Sequence, residues 1–343
     1  MRRKGFICIF IILSKKLKIF LNWFAGPILF IWLAVSIYTQ ITHKSDLQES
    51  WIHIKRAFSG QHLSKLILVV ILMFANWGLE ARKWQLLLQK IQPISFLKAF
   101  KSILTGQAFA LNTINRVGEY VGRVMYLEEG KRLKSVSLSI AGSFSQIIVT
   151  MLMGVLGMIY LRYNLLFSQK QLEGLNRYWI DGLIYAIGIS TIINLFLYYK
   201  LSLVARIFEK FKLLRKYKYL VEGLGDLHWR ELTRILLLSY IRYVVYVIQY
   251  LLLLQVFEVS TNWVQAGWIV CVMFLVMALI PTIALAELGF RAKTSIELLG
   301  LISGNMLGII ATAGGIWLIN LVIPALAGSL FIFGMKIFKK TAN

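Results

Sequence analysis

The sequence has 343 residues, of which 58% are hydrophobic and only 15% charged, with a mean hydropathy of +0.71. A soluble domain carries roughly a quarter charged residues, so a water-soluble globular protein is excluded. The 38 basic and 15 acidic residues give a formal charge of +23. The basic residues sit in the connections between apolar segments, so the expected partner is anionic lipid and not nucleic acid. Cys8 and Cys271 are two distant cysteines in apolar surroundings, which support neither a disulfide framework nor a thiolate metal site.

The chain opens on "MRRKGFICIFIILSKKLK", a short apolar run between basic clusters with no small-residue cleavage site. Residues 1–18 therefore read as an interfacial segment and not as a removed signal peptide. Apolar runs long enough to cross a bilayer, about 20 residues, follow near 19–39, 63–80, 136–161, 179–199, 235–257 and 306–335. At the end of the second, Asn76 and Glu80 with Arg82 just beyond read as an interfacial cap.

Two further apolar stretches, 98–115 and 263–283, each run into a motif of Gly, Glu and Arg and then a second short apolar helix. The positive-inside rule decides their treatment. With the N-terminus in the cytoplasm, 98–127 becomes a re-entrant hairpin from the cytoplasmic face and 263–302 one from the outer face. The segments 1–18, 81–101, 131–134, 200–234 and 336–343 then place 26 Lys and Arg on the cytoplasmic side, against 6 in the outer loops. Counting 263–283 as a full span would strand Lys336, Lys339 and Lys340 outside.

The expected fold is a single all-α integral membrane domain over 1–343. It has about six full spans and two oppositely oriented hairpins on an inverted-repeat plan, a plan that recurs in transporters with midplane sites. Both termini are expected in the cytoplasm, and the expected location is the cell membrane, a bacterial inner membrane. The segment 200–234 alternates Leu, Phe and Val with Lys and Arg and reads as an amphipathic helix on an anionic leaflet.

The hairpins share a pattern. "EYVGR" supplies Glu119 and Arg123, and "ELGFR" supplies Glu287 and Arg291. In each, Glu precedes Arg by four residues, the favourable order for a helical ion pair. In each, a glycine (Gly122, Gly289) permits a bend or a close backbone approach. Arg116 adds a second cation to the first motif. Arg242 lies within the span 235–257, on a polar stripe with Ser239, Tyr246 and Gln249. Buried charge at this depth is expensive and marks a functional site by default. Snorkelling of Arg242 to the interface is the competing reading. In the last span, Asn320 with Pro324 marks a kink where freed carbonyls meet a neighbour.

The pattern Arg116–Val117–Gly118–Glu119 with Arg123, followed far downstream by Pro281, Glu287, Gly289 and Arg291, resembles the lysylphosphatidylglycerol synthase transmembrane (flippase-like) family. The similarity covers roughly residues 20 to 335, including "EARKWQLLL". Family members often carry Pro or Gly where this chain has Asn115, and an acid after the second arginine where this chain has Glu287 before it. Two-domain members add a soluble aminoacyl-transferase domain, whose chemistry is not expected here.

His43, His53, His62 and His228 form no metal spacing, and no nucleophile elbow or phosphate loop occurs. No catalytic residue, metal ligand or cofactor is expected. The expected function is translocation of an anionic lipid or a polyprenyl-linked glycan, with Arg116, Glu119, Arg123, Arg242, Glu287 and Arg291 as the substrate-binding set. Guanidinium groups bind phosphate through parallel hydrogen bonds. The alternatives are an accessory membrane protein with a structural polar core, and an intramembrane lipid-modifying enzyme using Glu119 or Glu287 as a base.

Overall fold

The computed structural model describes residues 60, 62–111, 113, 116–166, 177–201, 227–280 and 284–333. The expected interfacial segment 1–18, the span 19–39, most of the amphipathic segment 200–234, and Asn115 and Pro281 of the motifs lie outside the described residues. All regular elements among the described residues are helical. In chain order they are α1 (Leu63–Leu88), α2 (Phe96–Ala110), α3 (Gly118–Val124), α4 (Glu129–Leu161), α5 (Arg177–Tyr199), α6 (Trp229–Val256), α7 (Trp263–Leu279), α8 (Ala284–Leu299), α9 (Met306–Trp317) and α10 (Ile323–Phe333). A π-turn, Leu318–Val322, joins α9 to α10 in one continuous helix.

Among the described residues, five helices are long and apolar enough to cross a bilayer: α1, α4, α5, α6 and the joined α9–α10. The chain is a multi-pass helical membrane protein. By contrast α2 has 15 residues and α7 has 17. At 1.5 Å per residue they reach roughly 22–26 Å, short of the ~30 Å hydrocarbon core.

Several helices outrun the apolar windows that announce them. The run 63–80 becomes α1 through Leu88, and 235–257 becomes α6 from Trp229. Lys83, which the sequence assigns to a cytoplasmic connection, is instead buried within α1. Backbone hydrogen bonding does not stop where hydropathy falls, provided each charge finds a partner.

Local signals set the ends. Ser95 accepts from the Lys98 N–H at 3.3 Å and starts α2. Asn262 accepts from Val264 and Gln265 and starts α7, as side-chain N-caps do. At the end of α6, Glu258 takes φ 56° and the Val259 N–H reaches back to Leu254 O at 2.8 Å, closing the helix with a left-handed residue. Asn305 donates to the Glu258 carbonyl at 3.2 Å and caps α9 through the Gly308 N–H, tying the end of α6 to the start of α9.

The packing partners exchange in pairs. α1 lies against α6, α2 against α10, and α4 against α7. Within α1 and α6, Lys83 meets Ser239 and Gln249 donates to Val69 O, so these helices run antiparallel. α2 and α3 cross at glycines: a Cβ on Gly122 would stand 2.6 Å from the Cα of Gly106. Gly289 makes no such approach. A Cβ there would meet open space beyond its own helix, and α8 runs through it without a break, so the expected bend there does not occur.

The α2–α10 contact is closest at Gly328, where a Cβ would fall 1.8 Å from the Leu104 carbonyl oxygen. A backbone atom cannot swing aside, so Gly328→Ala is expected to force the helices apart. Overpacking of this kind costs about 1–3 kcal/mol. Thermal unfolding in detergent should show a clear loss for Gly328→Ala and none for Gly188→Ala, whose Cβ would meet open space. Equal melting of the two variants would mean that α2 and α10 are not packed this tightly.

Candidate functional site

Glu80 organises the site. It sits on the inner face of α1 at 2% exposure and is reached by three cations. Lys83 Nζ lies 2.8 Å from Oε2, Arg242 Nη1 3.0 Å from Oε2, and Arg123 Nη2 2.8 Å from Oε1. The reading of Asn76 and Glu80 as an interfacial cap is therefore corrected: Asn76 Oδ1 accepts from Arg242 Nε at 2.7 Å, and both residues belong to the core of the site. The geometry is inward for Arg242 as well. Its guanidinium stands 5.5 Å from the Trp77 ring, within cation–π range.

Around this centre the first motif closes. Arg123 joins Glu80 to Glu119 through one nitrogen and donates to Ser139 Oγ at 3.3 Å through the other. Its guanidinium also lies over Trp84, and it is 2% exposed. Both Nη groups of its fork are thus used within the protein, while Nε is buried without a hydrogen-bond partner. Arg116 stands 4.0 Å from Glu119 and donates to Gln107 Oε1, yet its side chain remains 37% exposed. It holds φ 58°, a conformation rare outside glycine, which the fold sustains at a local cost.

In the second motif Arg291 Nη2 pairs with Glu287 Oε1 at 2.5 Å, and Nη1 is 3.4 Å from the Tyr246 hydroxyl. Lys83 completes the inner wall by donating to Gly142 O at 3.1 Å and Ser239 Oγ at 3.3 Å.

All six residues expected from the sequence, Arg116, Glu119, Arg123, Arg242, Glu287 and Arg291, line one cavity of about 660 Å³. That volume is in the range of small-molecule sites. Glu80, Lys83 and Asn320 line it too, and sequence reading had not placed them in the site. For Glu80 and Lys83 a signal was available: they stand three residues apart, one turn of helix, at the end of an apolar run. Among the described residues, five cations (Lys83, Arg116, Arg123, Arg242, Arg291) face three carboxylates (Glu80, Glu119, Glu287) across this space, an excess of two positive charges. Ile147, Leu279 and Ile280 also line the cavity and are exposed, so apolar surface is accessible beside the charge. Among the described residues no group of His, Cys, Asp and Glu is arranged to hold a metal ion.

Where a kink is expected in the last span, the helix makes the π-turn. Pro324, with no N–H, falls just after it, and Gln107 Nε2 reaches the Leu321 carbonyl at 3.5 Å.

No family model matches the chain, and no curated protein matches it significantly.

Proposed function

We propose that the protein is a flippase-like translocase for an amphiphile with an anionic headgroup, a phospholipid or a polyprenyl-linked glycan. The observation that carries this reading is the charge imbalance of the cavity: five cations against three carboxylates among the described residues, with exposed apolar side chains at the same space. A phosphate entering such a site neutralises the excess, and its acyl or polyprenyl tail stays on apolar surface. In this proposal the chain is related to the lysylphosphatidylglycerol synthase transmembrane family, which it resembles in the Arg116–Glu119–Arg123 motif and in Arg291, while Glu287 departs from the family pattern.

The same reading makes 98–127 and 263–302 re-entrant hairpins of opposite orientation and adds the span 19–39 as a sixth crossing. It is supported by the shortness of α2 and α7 and by the paired exchange of partners, α2 with α10 and α4 with α7, which an inverted repeat produces. Both termini are then cytoplasmic. Single cysteines at Asn262 and Ser303 should both react with an impermeant reagent from the outer side. Reaction from opposite sides would sink the topology.

Function is tested in proteoliposomes carrying a headgroup-labelled lipid, read by chemical quenching of the outer leaflet. The protein is expected to raise the flip rate of an anionic lipid above that of protein-free vesicles. Equal rates across anionic lipids and lipid-linked sugars would leave the structural reading in possession. Appearance of a modified lipid in the same vesicles would favour the enzyme.

A further inference from the structure

Among the described residues of the cavity wall, Asn320 is the one whose side-chain nitrogen and oxygen are both buried and without a hydrogen-bond partner. It is 3% exposed. A buried polar atom left unpaired is rare and asks for an explanation. The backbone here is equally unusual: Ile323 N–H bonds to Leu318 O, five residues back. π-turns of this kind inside α-helices occur often at functional sites.

The position of Asn320 is tied to the most exposed cation of the site. Its neighbour Leu321 accepts from Gln107 Nε2, and Gln107 Oε1 in turn accepts from Arg116. This short hydrogen-bond relay ties the backbone next to Asn320 to the side chain of Arg116, and both residues line the cavity. Trp77 Nε1, Arg123 Nε and Arg291 Nε are further unpaired donors on residues that line the same cavity, and Tyr246 stacks on Phe274 at 5.0 Å to form an aromatic surface there.

The chemistry of the amide narrows the ligand. A phosphodiester only accepts hydrogen bonds, so it would satisfy Nδ2 and leave Oδ1 unpaired. A hydroxyl both donates and accepts, and adjacent hydroxyls can meet both ends of the amide at once. We propose that Arg116 and Asn320 form a two-part headgroup subsite, in which Arg116 takes the phosphate and Asn320 takes the hydroxyls of a neutral polyol or sugar ring esterified to it. This rests on the reading of the cavity as a headgroup site. It adds that the preferred substrate is a hydroxylated phosphodiester lipid, and it makes Asn320 the residue that selects it.

Two lipids with the same acyl chains separate the parts. Phosphatidylinositol and phosphatidylethanol each carry one negative charge, and only the first carries ring hydroxyls. Binding to the full chain in detergent is measured by titrated thermal shift. Wild type is expected to bind phosphatidylinositol about tenfold more tightly, the effect of one or two well-made hydrogen bonds. Asn320→Leu, of similar size, should abolish the preference and leave phosphatidylethanol binding unchanged. Asn320→Ala, which opens space instead of filling it, should do the same. Arg116→Met should weaken both lipids together. The inference is overturned if wild type binds both lipids equally, if either Asn320 variant keeps the preference, or if it weakens both lipids alike. In each of those cases the headgroup reading survives. If wild type binds neither lipid, that reading falls as well.

Discussion

Glu80→Gln is expected to be the most damaging single substitution in the protein. The carboxylate is buried and holds Lys83, Arg242 and Arg123 at 2.8–3.0 Å. Neutralising it leaves three cations converging on an amide that can accept only in part. Breaking a buried ion pair by removing one partner costs about 3–5 kcal/mol, and here one group serves three partners. The apparent melting temperature of the purified protein in detergent should fall sharply, or folded protein should fail to accumulate. Lys83→Met in the Glu80→Gln background should recover part of the loss, because it removes one of the stranded charges. Loss of the single variant without any recovery in the double would point to shape and not charge. Unchanged melting of Glu80→Gln would mean that water reaches the cluster.

The arginines divide into two kinds, and the second large effect follows from the division. Arg123 spends its charged edges on Glu80, Glu119 and Ser139. Arg116 and Arg242 retain side-chain exposures of 37% and 22% on the cavity. Hydrogen bonds to charged groups contribute about 1.5–3 kcal/mol, which at 1.4 kcal/mol per factor of ten is roughly 10- to 150-fold. Arg116→Met is expected to lower the flip rate of an anionic lipid by that order while leaving melting nearly unchanged. Arg123→Lys should do the reverse in emphasis, since one ammonium nitrogen cannot occupy both Nη positions from which Arg123 reaches the two carboxylates and the Ser139 hydroxyl, so its larger effect should be on stability. Measuring both variants for melting and transport checks the division. A transport defect confined to Arg123→Lys would place the phosphate on the buried arginine instead.

The membrane character and the Glu–Arg motifs were legible because both are local. A run of twenty apolar residues needs no partner to be recognised, and Glu119–Arg123 and Glu287–Arg291 are i,i+4 pairs whose geometry follows from the helix itself. Helix ends were legible only approximately. Hydropathy falls at Glu80 and Lys83, whereas α1 continues to Leu88, because the charges that end the apolar run are neutralised by other helices.

What sequence by itself determined about this protein is therefore a list of apolar helices and two charged motifs too costly to leave in lipid. What tertiary structure alone decided is how those charges are partnered. Glu80 meets Arg123 across 43 residues of chain and Arg242 across 162, and no periodicity signals a contact at such separation. The same holds for Arg116 and Arg123, which are equivalent in the sequence and opposite in the fold, one half-exposed on the cavity and one filled by carboxylates. It holds for Asn320, whose unpaired amide is a property of what the surrounding helices fail to supply. Local chemistry sets which groups are present; burial and the packing of distant helices set which of them remain free to bind.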